Sequence, residues 1–385
     1  MAQTALEEYV PAIRALAGRW AAQVAADREA APDGDFVCSP AGMWLALTAV
    51  AAGARGATAR ELRTVLGVAG PEAAALATAA GRALAPADGV AVATAAWART
   101  PVHRAFRESL PDVAFGHLPS AAEAVDGRAE APVDPVLLDA WVRRATGGRV
   151  AGLPGRPGPR TLLVLVNSLA LKAEWATPFV RSSTRDLPFT DAAGVARPVP
   201  TMTTKLPRPT HAWTAPGADG APVEVVALRC AAVQVSFVLG APGSAAADVL
   251  PAAWADQRDR RPVAEDAVTI ALPRLSLRTR LDATAHLESL GAPSAVAEDA
   301  DFSAMSPEEL TISRLVQDAR LTVDEEGVEA IAVTDIDVRH VLSARTRVPR
   351  TRHIAFNRPF GTVIFHTPTG APLFTAWQAT APRPE

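Results

Sequence analysis

The longest proline-free run of the chain, residues 308–348, is the feature that most constrains its fold. The chain carries 33 prolines in 385 residues. Proline removes a backbone donor from a sheet ladder, so an interior strand needs a run of this kind. Within it, Leu321–Val323 is strand-like, Asp324–Gly327 is a charged turn, and Val328–Thr334 is strand-compatible again. Alternate residues of a strand share one face, and one face here is small and uncharged: Val328, Ala330, Ala332 and Thr334. The pattern fits an ordinary strand, turn and strand. It fits equally well a segment that can move and join a sheet as a new strand.

The sequence after this segment is basic and has the composition of an exposed loop. No acidic residue occurs from position 338 to 384. Gly327 is the only glycine between Gly291 and Gly361, and glycine reaches backbone angles that are closed to other residues. A strand-compatible segment joined by a glycine hinge to a loop that can be cut indicates a moving part. The basic residues are Arg339, Arg345, Arg347, Arg350 and Arg352.

The hinge sequence resembles that of the serpins, a family of protease inhibitors with a mobile reactive loop. The family pattern is an acidic pair, a glycine, a small or β-branched residue, a glutamate and a run of small residues. The matching hinge residues here are Glu325, Glu326, Gly327, Val328, Glu329, Ala330, Ala332 and Thr334. Four further blocks match in the family's order: 36–40, 165–179, 301–303, and 356–360 with 368–374. Together they span nearly the whole chain.

The resemblance implies an α+β serpin fold with three β-sheets and about eight or nine surrounding helices. Residues 1–385 would form a single domain, with the hinge and reactive loop at about 325–353. The residues themselves also favour an α+β class, because helical patterns come first and strand patterns later, without βα alternation. The patterns predict helices at 8–26, 41–52, 58–66, 71–84, 133–146 and 281–290, and strands at 90–98, 161–171, 223–228, 232–239, 268–272 and 310–323.

Composition excludes several other classes of protein. A net charge of -3 gives no sign of a nucleic-acid or membrane partner. Cys38 and Cys230 are too few for a disulfide framework and are expected to be buried free thiols. No enzyme motif occurs, and no histidine pair is spaced to bind a metal; we therefore expect no enzyme, no metal and no cofactor. The N-terminus lacks the features of a signal peptide, which predicts a cytoplasmic location, with extracellular release left open. The resemblance is to a bacterial-type serpin, and we expect a monomer.

The resemblance also assigns roles to residues. A target protease would cleave the loop, and the hinge half would then insert into the main sheet as a new strand. Gly327 would be the hinge, and the four small residues would face the underside of the sheet. Val328 is bulkier than the family's usual threonine, and Ile331 and Val333 replace its usual alanines. These three departures are expected to slow insertion. Residues expected where the sheet opens are Ser39, Asn167, Trp175 and Gln317, where Gln317 replaces a histidine and Gly42 replaces a second serine.

The cleaved bond is predicted from loop length. Counting about fifteen residues on from Gly327, the usual spacing in the family, gives Val341–Leu342 and an elastase-like or subtilisin-like serine protease. Counting back from Pro359 lands near Arg347 instead. Arg339, Arg345 and Arg347 therefore remain alternatives that imply a trypsin-like protease. The alternative function is that of a non-inhibitory serpin, a binding or carrier protein on the same scaffold. A charged inward-facing residue or a proline at 328–334 would favour it, and neither is present.

Overall fold

The computed structural model describes residues 6–84, 90–118, 160–171, 173–206, 208–230, 233–328 and 350–383, with single residues at 140, 143 and 158. The α-helices of this part are α1 Val10–Ala26, α2 Pro40–Ala51, α3 Gly56–Leu66, α4 Pro71–Leu84, α5 Arg104–Ser109, α6 Ala246–Val249 and α7 His286–Leu290. The helix predicted at 133–146 falls outside the described ranges, apart from two isolated helical positions.

Four of the predicted helices are confirmed, and the one at 281–290 is wrong in its first half. Helix α2 begins as expected, with the Ser39 side chain accepting a hydrogen bond from the backbone of Gly42 and proline in the first turn. All twelve residues of α2 are buried. Leu281 and Asp282 instead end a strand, because the Asp282 carboxylate accepts bonds from Thr284 and sets a turn before α7.

Eighteen strands are described. They are β1 Phe36–Cys38, β2 Val90–Ala98, β3 Val113–His117, β4 Leu163–Leu171, β5 Ala173–Glu174, β6 Arg185–Thr190, β7 Ala196–Lys205, β8 Ala212–Pro216, β9 Pro222–Arg229, β10 Val233–Leu239, β11 Arg261–Pro262, β12 Ala267–Pro273, β13 Leu275–Asp282, β14 Ile312–Val323, β15 Gly327–Val328, β16 Thr351–Ala355, β17 Phe360–His366 and β18 Pro372–Gln378. All six predicted strands are among them, with ends shifted by one or two residues.

These strands form three sheets, as the sequence predicted. The central sheet has the order β3-β2-β4-β14-β15-β5, with β13 also paired to β14. A second sheet has the order β1-β18-β17-β10-β9-β8-β11, and a four-stranded sheet has the order β16-β12-β7-β6. Strand β14 lies inside the proline-free run and has a neighbour on each side, which confirms the reasoning from proline.

The core lies between the central and second sheets, with the apolar helix α2 packed against β4 on one side and β18 on the other. Both cysteines are free and buried, as predicted. Burial raises the pKa of the Cys230 thiol to about 12 and also raises that of Cys38. No helix in the described part of the chain is long and apolar enough to span a membrane.

Candidate functional site at the hinge

The central sheet contains a fork between β4 and β14. These parallel strands pair from Ile312–Leu163 to Val316–Val166, and the described pairing between them stops there. Beyond that point β14 continues to Val323 with its other edge paired to β13. Strand β4 continues to Leu171 with its other edge paired to β2. We call the region between residues 167–171 of β4 and 317–323 of β14 the fork.

The first two residues of the predicted loop already occupy the mouth of the fork. Val328 pairs antiparallel with Val323 of β14 on one side and with Ala173 of β5 on the other. Gly327 pairs with Glu174. Val328 is 1% exposed, so this short strand is an interior part of the sheet.

Gly327 is required here for a reason other than the predicted one. It is not among the described glycines with positive φ, so the argument from unusual backbone angles is wrong. A Cβ on residue 327 would instead lie 2.2 Å from the backbone oxygen of Ala173. Glycine is needed because β15 and β5 approach too closely for any side chain at this position.

The turn before Gly327 is held by its own aspartate. The Asp324 carboxylate accepts the backbone N–H groups of Glu326, at 2.8 Å, and of Gly327, at 3.1 Å. The Asp324 N–H donates to the Gly327 carbonyl at 3.1 Å. Aspartate commonly closes turns in this way, so the charged turn predicted from sequence is a fixed corner that aims the chain back into the sheet.

Trp175 holds the same turn from the opposite side of the fork. Its indole N–H donates to the Asp324 carbonyl at 2.8 Å, and its backbone N–H donates to the Glu326 carbonyl at 3.0 Å. The backbone N–H of Phe179 donates to the Glu325 carbonyl at 2.9 Å. The rings of Trp175 and Phe179 pack edge-on at 6.1 Å. The structure thus places Trp175 beside the hinge, where it packs and also bonds.

Glu325 is a buried member of an ion pair that sequence reasoning missed. Its carboxylate is 3% exposed and accepts three bonds from the Arg274 guanidinium, at 2.7, 2.9 and 3.1 Å, and one from the Thr184 hydroxyl at 2.5 Å. Burial acts to raise the pKa of Glu325, but the bonds from Arg274 and Thr184 outweigh it and leave that pKa below its ordinary value. Neighbouring Glu326 pairs with Arg181.

No local pattern could have identified Arg274 as this partner. It lies 51 positions before Glu325, between β12 and β13, in a chain with many arginines. The sequence indicated only a charged turn at the glutamate pair. The missing information is the fold, which brings the end of β12 next to the end of β14.

Ser39 and Gln317 are in contact at the closed end of the fork, where the pairing of β4 with β14 stops. The Ser39 N–H donates to the Gln317 side-chain oxygen at 2.7 Å, and the Gln317 side-chain amide donates to the Ser39 carbonyl at 3.1 Å. The Ser39 hydroxyl donates to the Leu373 carbonyl at 2.8 Å. A glutamine side chain can both donate and accept hydrogen bonds. Gln317 therefore links β14 to the start of α2 by two hydrogen bonds, without a group that titrates.

Asn167 lies close to this contact but bonds elsewhere. Its side-chain amide donates to Thr94 of β2 at 3.0 Å, and its buried Oδ1 has no hydrogen-bond partner among the described residues. A Cβ on Gly42 would lie 2.1 Å from that oxygen. The Asn167 carboxamide therefore occupies the space that the family's serine would need, which accounts for glycine at position 42.

Most of the predicted loop lies outside the described residues. This applies to the hinge residues Glu329, Ala330, Ala332 and Thr334 and to the cleavage candidates Arg339, Val341, Leu342, Arg345 and Arg347. The chain is described again from Arg350, where it enters β16. Across the described ranges, no group of three or more His, Cys, Asp or Glu residues is arranged to bind a metal ion.

Comparison with known proteins identifies the family. The family model "Serpin (serine protease inhibitor)" matches residues 12–378. The chain belongs to the serpin family. Relatives of this serpin include plasminogen activator inhibitor 1 of Mus musculus, 31% identical over 252 residues, which are 62% of this chain and 59% of the relative. Iripin-2 of Ixodes ricinus is 30% identical over 222 residues, 54% of this chain and 52% of the relative. The chain thus spans under two thirds of the length of these relatives.

Solved structures show the fold over nearly the whole chain. Serpin48 of Tenebrio molitor superposes with a TM-score of 0.78 at 22% identity, covering 97% of this chain and 98% of that one. Human thyroxine-binding globulin superposes with a TM-score of 0.76 at 20% identity, covering 99% and 100%. The family is one of protease inhibitors rather than enzymes. The predicted bacterial origin stays a prediction.

Proposed function

We propose that this serpin inhibits a serine protease as a suicide substrate, by inserting its cleaved loop into the fork. The observation that carries the proposal is the fork itself, with Gly327–Val328 already paired at its mouth. The family match and its description as a serine protease inhibitor support the general activity. The same chain would act as a single-domain monomer.

Extending the pairing of β15 gives the later loop residues partners on both sides. Val328 pairs with Val323 and Ala173, and each step along the loop moves both antiparallel partners back by one residue. Ala330 then lies between Leu321 and Leu171. Both leucines are buried, at 3% and 4% exposure, and directly paired residues share a face. Ala330 would therefore point into the core, as the resemblance implies.

The same register brings Thr334 level with Gln317 and Asn167. Residues 329–334 would fill the fork, and the next residue would have to displace the pairing of Val166 with Val316. The hydrogen bond between Ser39 and Gln317 lies where β4 and β14 must begin to separate. The Asn167 Oδ1, which has no hydrogen-bond partner among the described residues, lies at the same place. Gln317, Ser39 and Asn167 would therefore determine the free energy that is needed to insert the loop beyond Thr334.

The proposed reaction begins as ordinary proteolysis. The protease serine forms an acyl bond with the loop carbonyl, and the peptide bond breaks to leave a new amine on the C-terminal fragment. The hinge half is then free to insert and carries the acylated protease with it. Inhibition follows if insertion deforms the protease active site before water releases the acyl group.

The bond and the target remain as the sequence analysis predicts them. Cleavage at Val341–Leu342 fits an elastase-like or subtilisin-like protease that prefers small apolar residues. Cleavage after Arg339, Arg345 or Arg347 would require a trypsin-like protease.

The test mixes the protein with an elastase-like, a subtilisin-like and a trypsin-like protease. We expect an SDS-stable complex with one of them and a released C-terminal peptide whose mass gives the cleaved bond. Cleavage by all three without a complex, and without any gain in stability of the cleaved protein, would favour the non-inhibitory binding or carrier function.

A pair of neighbouring variants tests the inward face. Ala330→Arg places a charge between Leu321 and Leu171 on insertion, where burial without a partner is strongly unfavourable. Ile331→Arg is the matched control, because in the same register residue 331 lies opposite Arg320, whose exposed position faces outward. Ala330→Arg should turn the inhibitor into a substrate, and Ile331→Arg should still form the complex. Equal complex formation by the two variants would contradict the proposed register.

A further inference from the structure

A candidate binding surface is formed by four basic residues, Lys205, Arg208, His211 and Arg229. Lys205 ends β7, Arg208 precedes the 3-10 helix Pro209–His211, and Arg229 ends β9. The side chains of Lys205, Arg208 and Arg229 are exposed. Within the described ranges, none of these three takes part in a salt bridge. We call the four residues the basic surface.

Arg208 and Arg229 lie close enough to His211 to act on its imidazole. Burial lowers the pKa of His211, and the charges of Arg229 and Arg208 lower it further. No carboxylate is among the groups that act on this imidazole. The charge near His211 is therefore positive, although the chain as a whole has a net charge of -3.

One end of the basic surface adjoins the hinge. The backbone carbonyl of Arg229 accepts the N–H of Ala176 at 2.8 Å. Ala176 directly follows Trp175, which bonds to the turn at Asp324 and Glu326. Arg229 therefore lies next to the elements that hold the turn before β15.

The other end adjoins the segment where the chain returns from the loop. Thr269 of β12 pairs with Lys205 of β7 on one side and with His353 of β16 on the other. Residues in register across a sheet share a face, so Lys205 and His353 flank Thr269 on one face. His353 is three positions beyond Arg350, the first residue described after the loop.

The basic surface thus lies between the turn that precedes β15 and the start of β16, the two described elements that bound residues 329–349. One loop-side arginine, Arg352, is already paired, with Glu224. The backbone N–H of Arg350 donates to Asp266 at 3.1 Å, a bond that does not involve its guanidinium. Arg350 therefore adds to the positive charge on this side of the described chain.

We propose that this basic surface is an exosite that docks an acidic surface of the target protease during encounter. The proposal rests on the proposed inhibitory function and adds the charge of the partner. Complementary charges at the rim of an interface act mainly on the association rate and its salt dependence. The target is accordingly expected to be a serine protease with acidic residues around its active-site cleft.

The test measures the association rate with two subtilisin-like proteases that share a preference for small apolar residues, one acidic and one basic at the surface. Arg208→Ala/Arg229→Ala should slow association with the acidic protease about tenfold at low ionic strength. The difference should vanish near 1 M salt, where the Debye length is about 3 Å. The number of inhibitor molecules consumed per protease should stay the same.

Two control variants separate charge from structure. Arg208→Lys/Arg229→Lys keeps both charges and should restore most of the rate. Arg28→Ala/Arg60→Ala removes two exposed arginines outside the basic surface, one just after α1 and one in α3, and should leave the rate unchanged. Equal rates for the wild type and Arg208→Ala/Arg229→Ala at every salt concentration would overturn the exosite.

Binding to an inactive protease keeps the exosite testable if trapping fails. The probe is the acidic subtilisin-like protease with its catalytic serine replaced by alanine. Salt-sensitive binding that Arg208→Ala/Arg229→Ala loses would support the exosite even if the active protease were never trapped. Heparin is added in a separate arm. Loss of heparin binding in this variant with unchanged protease binding would assign the surface to a polyanion and overturn the proposal.

Discussion

Removing the Arg274 side-chain charge should loosen the hinge while leaving the rest of the central sheet in place. Arg274→Met keeps much of the side-chain length but removes all three bonds to Glu325. The buried carboxylate would then keep only the Thr184 hydroxyl at 2.5 Å. The turn at Asp324 is bonded independently to Trp175, so the expected effect is local weakening.

The size of the effect follows from the burial of the two partners. Deleting one partner of a buried ion pair costs about 3–5 kcal/mol, because the other charge stays buried and unpaired. Glu325 is 3% exposed but the Arg274 side chain is 38% exposed, and solvent screening reduces the value to about 2–3 kcal/mol. For a chain of this length we expect a Tm lower by roughly 2–4 °C.

Loosening the hinge should also promote self-association. Release of β15 would leave the edges of β14 and β5 unpaired at the mouth of the fork, and unpaired edges are templates for strands of other molecules. We therefore expect Arg274→Met to form oligomers on mild heating faster than the wild type. Size-exclusion chromatography after incubation below the Tm measures this directly.

A double-mutant cycle with Glu325→Gln isolates the pair. The two single variants and the double variant should give a coupling free energy of about 1–3 kcal/mol. Arg28→Met, which removes an exposed arginine elsewhere, is the control for loss of charge. Additive single variants, or a Tm for Arg274→Met within 1 °C of the wild type, approximately the resolution of the assay, would refute the reasoning.

The pH dependence gives an independent check. Because the bonds to Glu325 lower its pKa in the folded state below its ordinary value of 4.5, their stabilising effect is fully present above that value. It is lost as pH falls through the lower folded-state pKa. The difference in Tm between wild type and Arg274→Met should therefore be constant near neutral pH and shrink below about pH 4.5.

Three further predictions concern the loop and its register. Cleavage within 335–348 should raise the Tm sharply, because insertion adds a strand to the central sheet; equal melting curves for intact and cleaved protein would contradict this. Gly327→Ala should expose the hinge to limited proteolysis, because its Cβ would lie 2.2 Å from the Ala173 oxygen, whereas Gly81→Ala, with no atom nearby, should not. Val341→Arg should redirect inhibition to a trypsin-like protease, with a released peptide that begins at Leu342; a peptide beginning at His340 or Thr346 would show that an arginine is the recognition residue.

The sequence was sufficient to predict the elements that depend on local patterns. The absence of proline identified β14, and the acidic pair with Gly327 identified the turn that follows it. Ser39 was recognised as the cap of α2, because serine followed by proline is a local signal for the start of a helix. The helix predicted at 281–290 failed because its first residues alternate in burial along β13, and short apolar runs do not separate strand from helix.

The interactions of the site could not be predicted because they are long-range. Arg274 and Glu325 meet only where β12 and β14 end side by side, and no spacing rule relates them. The role of Gly327 was assigned to backbone freedom, although the structure shows that it depends on the distance to Ala173. Gly42 was noted as a departure from the family, but its reason became visible only with the position of the Asn167 carboxamide.

The pairing between β4 and β14 in the central sheet explains why insertion of the loop would proceed in two stages. From Glu329 to Thr334 the loop would gain pairing on both sides while breaking none of the described pairs between β4 and β14, because the fork is already open there. From Asp335 onward, each inserted residue would have to break one existing pair between β14 and β4, beginning with Val316–Val166 and moving towards Ile312–Leu163. It would form two new pairs in exchange, one with each strand. The second stage therefore gains less per residue and must also separate the packed strands. Gln317 and Asn167 lie at the boundary between the stages. The sheet-opening residues and the hinge residues, which the sequence presents as separate motifs, would thus act on successive steps of one movement.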